Sequence, residues 1–97
     1  MKKKNEVIIF HWVDACMHGT DQKTEEEWKK EGLIEGIVAG FIVNETKEYF
    51  TIAIDLFFAG QMGMEHNNYR QVCTYPKSGI KKIIKRFVLE TIKPHPL

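Results

Sequence analysis

Two strongly apolar runs separated by a short polar break dominate the chain. Residues 34–43 and 49–58 are rich in Ile, Val, Phe and Tyr, and the polar residues 44–48 lie between them. β-Branched and aromatic residues suit a pleated, half-buried surface, and a polar connection of this length is typical of a β-hairpin loop. Gly36 and Gly40 lie inside the first run, where glycine commonly marks a bulge or a bend. The pattern therefore predicts a hairpin with a bent first strand.

Two further segments have the composition of strands. Residues 6–15 are apolar on both faces, which is typical of a central strand. Residues 69–75 form another strand, and Pro76 ends it because proline donates no ladder hydrogen bond. Within the hairpin's second strand, alternate residues make one strongly apolar face, composed of Phe50, Ile52, Ile54, Leu56 and Phe58. These segments predict a mainly β (α+β) fold, either a small, strongly bent antiparallel sheet or a small barrel.

Two short segments have helical features. Thr24 and Glu27 have the spacing of a capping box, which predicts a short helix near 24–30. Residues 80–89 fit two descriptions, a helical turn that runs into a short strand or one amphipathic helix. The i, i+3, i+4, i+7 spacing of their apolar residues favours the helix. We therefore expect a helical turn or a helix near 79–89.

The length of 97 residues predicts one domain, 1–97, with loose tails at 1–5 and 93–97. A domain of this size buries only about two-thirds of its extended-chain surface, so a homo-oligomer would add stability. The sequence shows neither a signal peptide nor the roughly twenty consecutive apolar residues of a membrane helix. A cytoplasmic location without membrane contact is expected, and Cys16 and Cys73 are expected to be free thiols there.

Charge is balanced overall but unevenly distributed. The formal net charge is +1, whereas residues 21–48 carry −4 and residues 77–93 carry +5. Such segments can form two solvated faces, can pair with a second copy of the chain, or can attract a polyanion. The basic segment contains Lys81, Lys82, Lys85 and Arg86, and we expect its one aromatic residue, Phe87, to point inward.

A series of short motifs runs through most of the chain. It comprises Phe10, Trp12, Asp14 and Ala15, then Trp28, then Gly40 with residues 43–45 and Ala53, and finally Tyr75, Pro76, Lys77, Ser78 and Ile80. In this order the motifs resemble a set of small, uncharacterised bacteriophage and prophage proteins. The resemblance implies an SH3-like or Sm-like β-barrel and brings no assigned activity or catalytic residue. The chain departs from the pattern in its longer 59–68 loop and its more basic C-terminal part.

Recognition chemistry is concentrated at one strand and one loop. Trp12 offers a stacking face and Asp14 an acceptor for a base edge or a ribose hydroxyl, although the sequence slightly favours core packing as the role of Trp12. The loop at residues 65–70 adds hydrogen-bonding and cationic groups. These groups can instead be solvated and have no binding role. Asp55 requires a partner if it is buried, and Arg70 or Lys77 can supply one. The predicted ligand site comprises Trp12, Asp14, His66, Asn67, Asn68, Tyr69, Arg70 and Lys77.

Metal binding and catalysis have little support in the sequence. A strand period places Asp14, Cys16 and His18 on one face, and all three side chains can bind zinc. Three such residues on one strand seldom converge on one ion, and His11, His66 or Cys73 would have to complete the set. No enzyme motif occurs either. We therefore expect no metal, no cofactor and no enzymatic activity.

Three functions are consistent with these features. The first is a non-enzymatic, phage-type binding protein that forms a homo-oligomer and sequesters a small anionic ligand, such as a host defence signalling nucleotide. The second is a protein–protein interaction module that inhibits or recruits a host protein through Trp28 and the acidic segment. The third is a weak, Sm-like nucleic-acid binder that uses the basic surface of Lys81, Lys82, Lys85 and Arg86.

Overall fold

The computed structural model describes residues 5–14, 22–30, 32 and 34–90. Its elements, in chain order, are β1 (Glu6–Asp14), α1 (Glu25–Lys30), β2 (Ile34–Glu45), β3 (Tyr49–Phe57), β4 (Asn68–Pro76), a 3₁₀ turn (Lys77–Gly79) and β5 (Ile80–Val88). The strands form one antiparallel sheet in the order β4-β3-β2-β1-β5. The mainly β class is therefore confirmed. In the described part of the chain, β4 and β5 are the two outer strands and do not pair with each other.

The predicted hairpin is present as β2 and β3. Thr46 organises its turn: the Thr46 N–H donates to the carbonyl of Tyr49 (2.9 Å). The Thr46 hydroxyl oxygen accepts from the N–H groups of Glu48 and Tyr49, at 3.1 Å each. The strand register shifts between Ile42 and Asn44, which is a β-bulge. A bulge bends its strand, so β2 is irregular at Val43. At Gly36 and Gly40, where the sequence suggested a bulge or bend, the pairing with β1 runs without a register shift.

The core lies on one side of the sheet, which we call the inner face. Residues directly opposite each other in paired strands lie on the same face, and this rule assigns every residue that follows. The fully or almost fully buried members are Ile8, Phe10, Ile42, Phe50 and Ile52, with Trp12, Val38, Tyr75 and Ile80 packed against them. The core is therefore an aromatic-rich cluster contributed by all five strands and the segment that leads into β5.

The strongly apolar face predicted from alternate residues of the hairpin's second strand is buried only in the first half of β3. Phe50 and Ile52 are buried, whereas Ile54 is 61% exposed and Ala53 is fully buried. The reason is the register, because β2 and β3 pair only from Phe41–Ala53 to Glu45–Phe50. Beyond Ala53 the strand has left β2 and continues with β4 alone, so its inner-face side chains lose their cover.

The helix favoured over residues 80–89 is wrong, and the alternative of a helical turn followed by a strand is correct. The turn occupies Lys77–Gly79 and the strand is β5. The register of β5 on β1 shifts twice, once between the partners of Ile9 and Phe10 and once between those of His11 and Trp12. Each shift inserts one extra residue, so the strict alternation of a strand is lost. The two insertions produce the three-residue spacing that imitates a helix.

The predicted helix near 24–30 is present as α1. The Glu27 N–H donates to the Thr24 hydroxyl oxygen (3.2 Å), and the Thr24 hydroxyl donates to the Glu27 carboxylate (3.1 Å). The side chain of Trp28 lies outside the described residues. So do residues 1–4 and 93–97 of the expected tails, whereas the carbonyl of Asn5 accepts a hydrogen bond from the N–H of Leu89 (2.7 Å).

Candidate functional site

Trp12 packs at the edge of the core. Its ring centroid lies 5.1 Å from that of Tyr75 and 6.2 Å from that of Phe10, both in edge-to-face geometry. Gly79, at the end of the 3₁₀ turn, lies directly against the indole, where a Cβ atom would overlap the ring. The structure therefore places Trp12 where it supports packing, with only part of the indole exposed.

Lys77 and Arg86 belong to a charge network that covers one end of the core. Lys77 Nζ lies 2.8 Å from Glu45 Oε2, while Arg86 Nη2 lies 2.7 Å from Glu45 Oε1 and Arg86 Nε lies 2.8 Å from Glu6. Hydrogen bonds from Arg86 and then Lys77 lower the pKa of Glu45. Hydrogen bonds to Glu6 and Glu45 raise the pKa of Arg86. Both cations also lie over the Phe50 ring, at 4.7 and 5.7 Å from its centroid. This network balances two cations with two carboxylates.

The polar loop between β3 and β4 uses several of its groups to hold its own shape. Asn67 Oδ1 accepts from the Ala59 N–H (2.9 Å), and Asn68 donates to the His66 carbonyl (3.0 Å). Two backbone hydrogen bonds of 2.8 Å at Met64 close the tip of the loop. The side-chain amides of Asn67 and Asn68 therefore have hydrogen-bond partners within the loop and do not require a ligand.

Asp55 has the partner that the sequence suggested. Arg70 Nε and Gln71 Nε2 donate to the same carboxylate oxygen, at 3.0 and 3.1 Å. The pairing of Asp55 with Arg70 is confirmed, whereas Lys77 pairs with Glu45 instead. The Arg70 guanidinium carbon also lies 5.2 Å from the centroid of Phe57. Arg70 therefore stabilises the β3–β4 arm and already has a carboxylate partner.

The predicted ligand residues separate into two groups along β4. Tyr69 pairs with Leu56 and Tyr75 pairs with Phe50. These two pairs are six residues apart, which is roughly 20 Å of extended strand. The loop therefore lies at the opposite end of β4 from Trp12.

The remaining expected ligand residue and the metal candidates fall at the end of β1. The backbone of Asp14 ends β1 opposite Ile34, and its side chain, Cys16 and His18 lie outside the described residues. Among the residues that the structure describes, no group of three His, Cys, Asp or Glu side chains is arranged to hold a metal ion.

The other side of the β5–β1–β2 part of the sheet, which we call the outer face, has no buried residue in the part of the chain that the structure describes. The register assigns to it Lys82, Lys85 and Phe87 of β5, Val7, Ile9, His11 and Val13 of β1, and Glu35, Ile37, Ala39 and Phe41 of β2. None of these residues is buried. Antiparallel sheets commonly carry polar residues on an uncovered face. The outer face is instead mostly apolar, with cations along one border.

The cations of the outer face differ in their partners. Lys81 Nζ and His11 Nε2 each lie 3.1 Å from the same oxygen of Glu35, and Lys81 lowers the pKa of that carboxyl. Lys85 Nζ lies 5.2 Å from the centroid of Phe87. Within the described residues, neither Lys82 nor Lys85 has a carboxylate partner. Two lysines are therefore available to an anion.

The expectation that Phe87 points inward is wrong. Phe87 pairs with Val7 on the outer face and is 37% exposed. The insertions in β5 explain the difference, because a helical projection groups Phe87 with the isoleucines. In the observed strand, Phe87 is grouped with Lys82 and Lys85. The two extra residues in β5 therefore explain both why the segment resembles a helix in sequence and why the grouping of Phe87 with the lysines was not predicted.

Comparison with known proteins adds no constraint on this site. No protein-family model matches the chain, and neither a curated protein nor a solved structure matches it. The resemblance to phage proteins therefore stays a prediction. The one α-helix in the described part of the chain is too short to cross a membrane.

Proposed function

We propose that the protein is a non-enzymatic binding protein that sequesters an anionic, nucleotide-like ligand on the outer face of its sheet. One observation carries the proposal: the register of β5 places the exposed residues Lys82, Lys85 and Phe87 on the same face of the sheet. A base can stack on an exposed aromatic ring while ammonium groups contact phosphate, which is how many single-stranded nucleic acids and nucleotides are held.

The number of available cations favours a small ligand over a long nucleic acid. Affinity for a polynucleotide rises with the number of phosphates that lysine and arginine neutralise. Lys81 and Arg86, two of the four cations in β5, already pair with carboxylates of the chain. Two lysines and one ring match a mononucleotide or dinucleotide better than an extended strand.

The phage-type resemblance gives this activity a role. A phage protein that binds a host defence signalling nucleotide without turning it over would silence the signal. Sequestration requires only affinity, in agreement with a site that has an aromatic ring and cations. The described residues form an open antiparallel sheet of five strands, and the SH3-like or Sm-like barrel that the resemblance implies stays part of this proposal.

Calorimetric titration of the protein with mononucleotides, cyclic dinucleotides and a single-stranded oligonucleotide tests the proposal. We expect one of the small nucleotides to bind. Replacing a lysine that donates to phosphate removes a charge-assisted hydrogen bond, so Lys82→Glu and Lys85→Glu should each weaken binding by roughly tenfold or more. Phe87→Ala should weaken it through loss of stacking.

Lys47→Glu is the matched control, because Lys47 is an exposed lysine in the β2–β3 turn. The Lys47→Glu variant should bind the nucleotide with the affinity of the wild-type protein. An equal loss of affinity in all three lysine-to-glutamate variants would contradict a localised site. Binding of the oligonucleotide alone, with a steep salt dependence, would instead assign the outer face to nucleic acid. Absence of binding to every probe would refute the proposal.

A further inference from the structure

In the described part of the chain, half of β2 pairs with a neighbouring strand on only one of its two edges. β2 pairs with β1 from Ile34 to Phe41, but its pairing with β3 begins only at Phe41. No strand of the described chain pairs with the opposite edge of residues 34–40, which we call the free edge of β2. Unpaired N–H and C=O groups along a strand are a template for another strand.

The two outer strands of the sheet carry the features that normally prevent such pairing. β5 presents Lys81, Lys82, Lys85 and Arg86, and lysines on an edge strand discourage association. β4 is interrupted by Gln71, a non-glycine residue with φ of 57°, and it ends at Pro76. Both edges are therefore protected against a second strand.

The free edge of β2 has no comparable protection. Its single charged residue is Glu35, and two of its seven residues are glycine. Ile34 and Ile37 are 58% and 61% exposed, on opposite faces of the strand. An exposed and mostly apolar edge is the kind that pairs with another chain. The contrast between this edge and the two protected edges identifies it as an interface.

The chain is more extended than a compact domain of its length, and its surface is large enough to include a standard interface. Its radius of gyration is 18.1 Å, whereas a compact domain of this length has about 12.5 Å. Its accessible surface is 7980 Å², whereas a compact monomer of this mass exposes about 5,700 Å². The excess, about 2,300 Å², is more than the roughly 800 Å² that each partner buries in a standard interface.

We infer that the free edge of β2 pairs antiparallel with the same edge of a second copy, about a two-fold axis at Ile37. This register uses the whole of residues 34–40: Ile34 lies opposite Gly40 of the second copy, and Glu35 lies opposite Ala39. No charge faces a like charge. Antiparallel self-pairing of β5 about its centre, Ile84, would instead set Lys82 against Arg86, and like charges directly opposite each other are destabilising.

The pairing does not depend on the ligand proposed above, and each can fail without the other. It joins the two sheets edge to edge and leaves both outer faces accessible. A protein that dimerises through β2 and binds no nucleotide supports the interface alone. A monomer that binds a nucleotide supports the ligand site alone.

Sedimentation or light scattering at micromolar protein tests the interface. We expect the wild-type protein to have twice the mass of the 11.3 kDa chain. Ile37→Lys places two ammonium groups against each other at the axis and should give a monomer. Ile84→Lys is the matched control, because Ile84 is 51% exposed on the protected strand β5, and it should remain dimeric. A monomeric wild-type protein overturns the inference, and so does a dimer lost only in Ile84→Lys.

Disulfide cross-linking tests the register and does not depend on the folding of the lysine variant. In a Cys16→Ser/Cys73→Ser background, Ile37→Cys places two thiols opposite each other across the axis. Cα atoms of paired strands lie about 4.5–5.5 Å apart, within the range that a disulfide spans. Ile37→Cys should form a covalent dimer on mild oxidation, whereas Glu35→Cys should not. Cross-linking of Glu35→Cys as efficient as that of Ile37→Cys would overturn the proposed pairing.

Discussion

Alanine at Gly40 is expected to destabilise the protein, whereas alanine at Gly36 on the same strand is expected to stabilise it. A Cβ atom at Gly40 would lie 2.5 Å from Cγ2 of Ile52 and 2.6 Å from the carbonyl oxygen of Ala53. At Gly36 no atom lies within 4 Å of that position. The two substitutions therefore make the same chemical change in a crowded and in an open environment.

The magnitude follows from the crowded contact. Carbon–oxygen contacts normally lie at about 3.3–3.6 Å, so the backbone of β3 at Ala53 would have to move by roughly 0.7–1 Å to accept the methyl group. Overpacking of this kind costs about 1–3 kcal/mol. Replacing glycine also restricts the unfolded chain, which stabilises by about 0.4–1 kcal/mol. The effect on the unfolded chain is common to both variants. The difference between their free energies of unfolding therefore measures the clash alone, which we expect to be about 1–3 kcal/mol.

Urea unfolding followed by circular dichroism, at one protein concentration for all variants, measures this difference. The urea concentration at the midpoint of unfolding should rise slightly for Gly36→Ala and fall for Gly40→Ala. In a thermal scan of the same variants, the melting temperatures should differ by about 4–8 °C for each kcal/mol of difference in unfolding free energy. If the two variants unfold at the same midpoint, the close approach of β2 to β3 at Gly40 does not exist in solution. A fall at Gly36 alone would contradict the reasoning for both positions.

Two further predictions concern the core and the charge network. Phe10→Ala should destabilise by about 3–5 kcal/mol, because it removes a fully buried ring, while Phe87→Ala, a loss of the same ring from an exposed position, should cost far less in the same urea titration. Since Arg86 and Lys77 lower the pKa of Glu45 from 4.5, this carboxyl stabilises the fold above that pH and stops doing so as the pH falls through its lowered pKa. Glu45→Gln should therefore lose less stability than the wild-type protein as the pH falls below 4.5, and parallel pH profiles would refute this role.

The hairpin and the mainly β class were predictable because local signals and tertiary pairing agree there. Residues 44–48 interrupt two β-branched and aromatic runs, and the turn at Thr46 occurs within them. The capping of α1 by Thr24 is also a local effect, since it depends on residues three positions apart. Interactions between residues this close in the chain can be predicted from the sequence alone.

The last strand and the outer face were not predictable, because their arrangement depends on register. The extra residues in β5 arise from its pairing with β1, a segment at the other end of the chain. Without that pairing, nothing in the sequence tells whether Phe87 lies with the isoleucines or with Lys82 and Lys85. The predicted ligand site failed to converge for a similar reason, since the length of β4 between Tyr69 and Tyr75 keeps its two halves apart.

The pairing of β1 with β5 has a consequence for the order in which the protein folds. The ion pair between Glu6 and Arg86 joins residues 80 positions apart, and the pairing of β1 with β5 closes the longest loop in the sheet. Long-range pairing is slow because the entropy of loop closure precedes the stabilising contacts. The local hairpins can form first, and until β5 docks the chain exposes the central strand β1 along one edge. Newly synthesised chains are thus most vulnerable to aggregation just before their final basic strand is added.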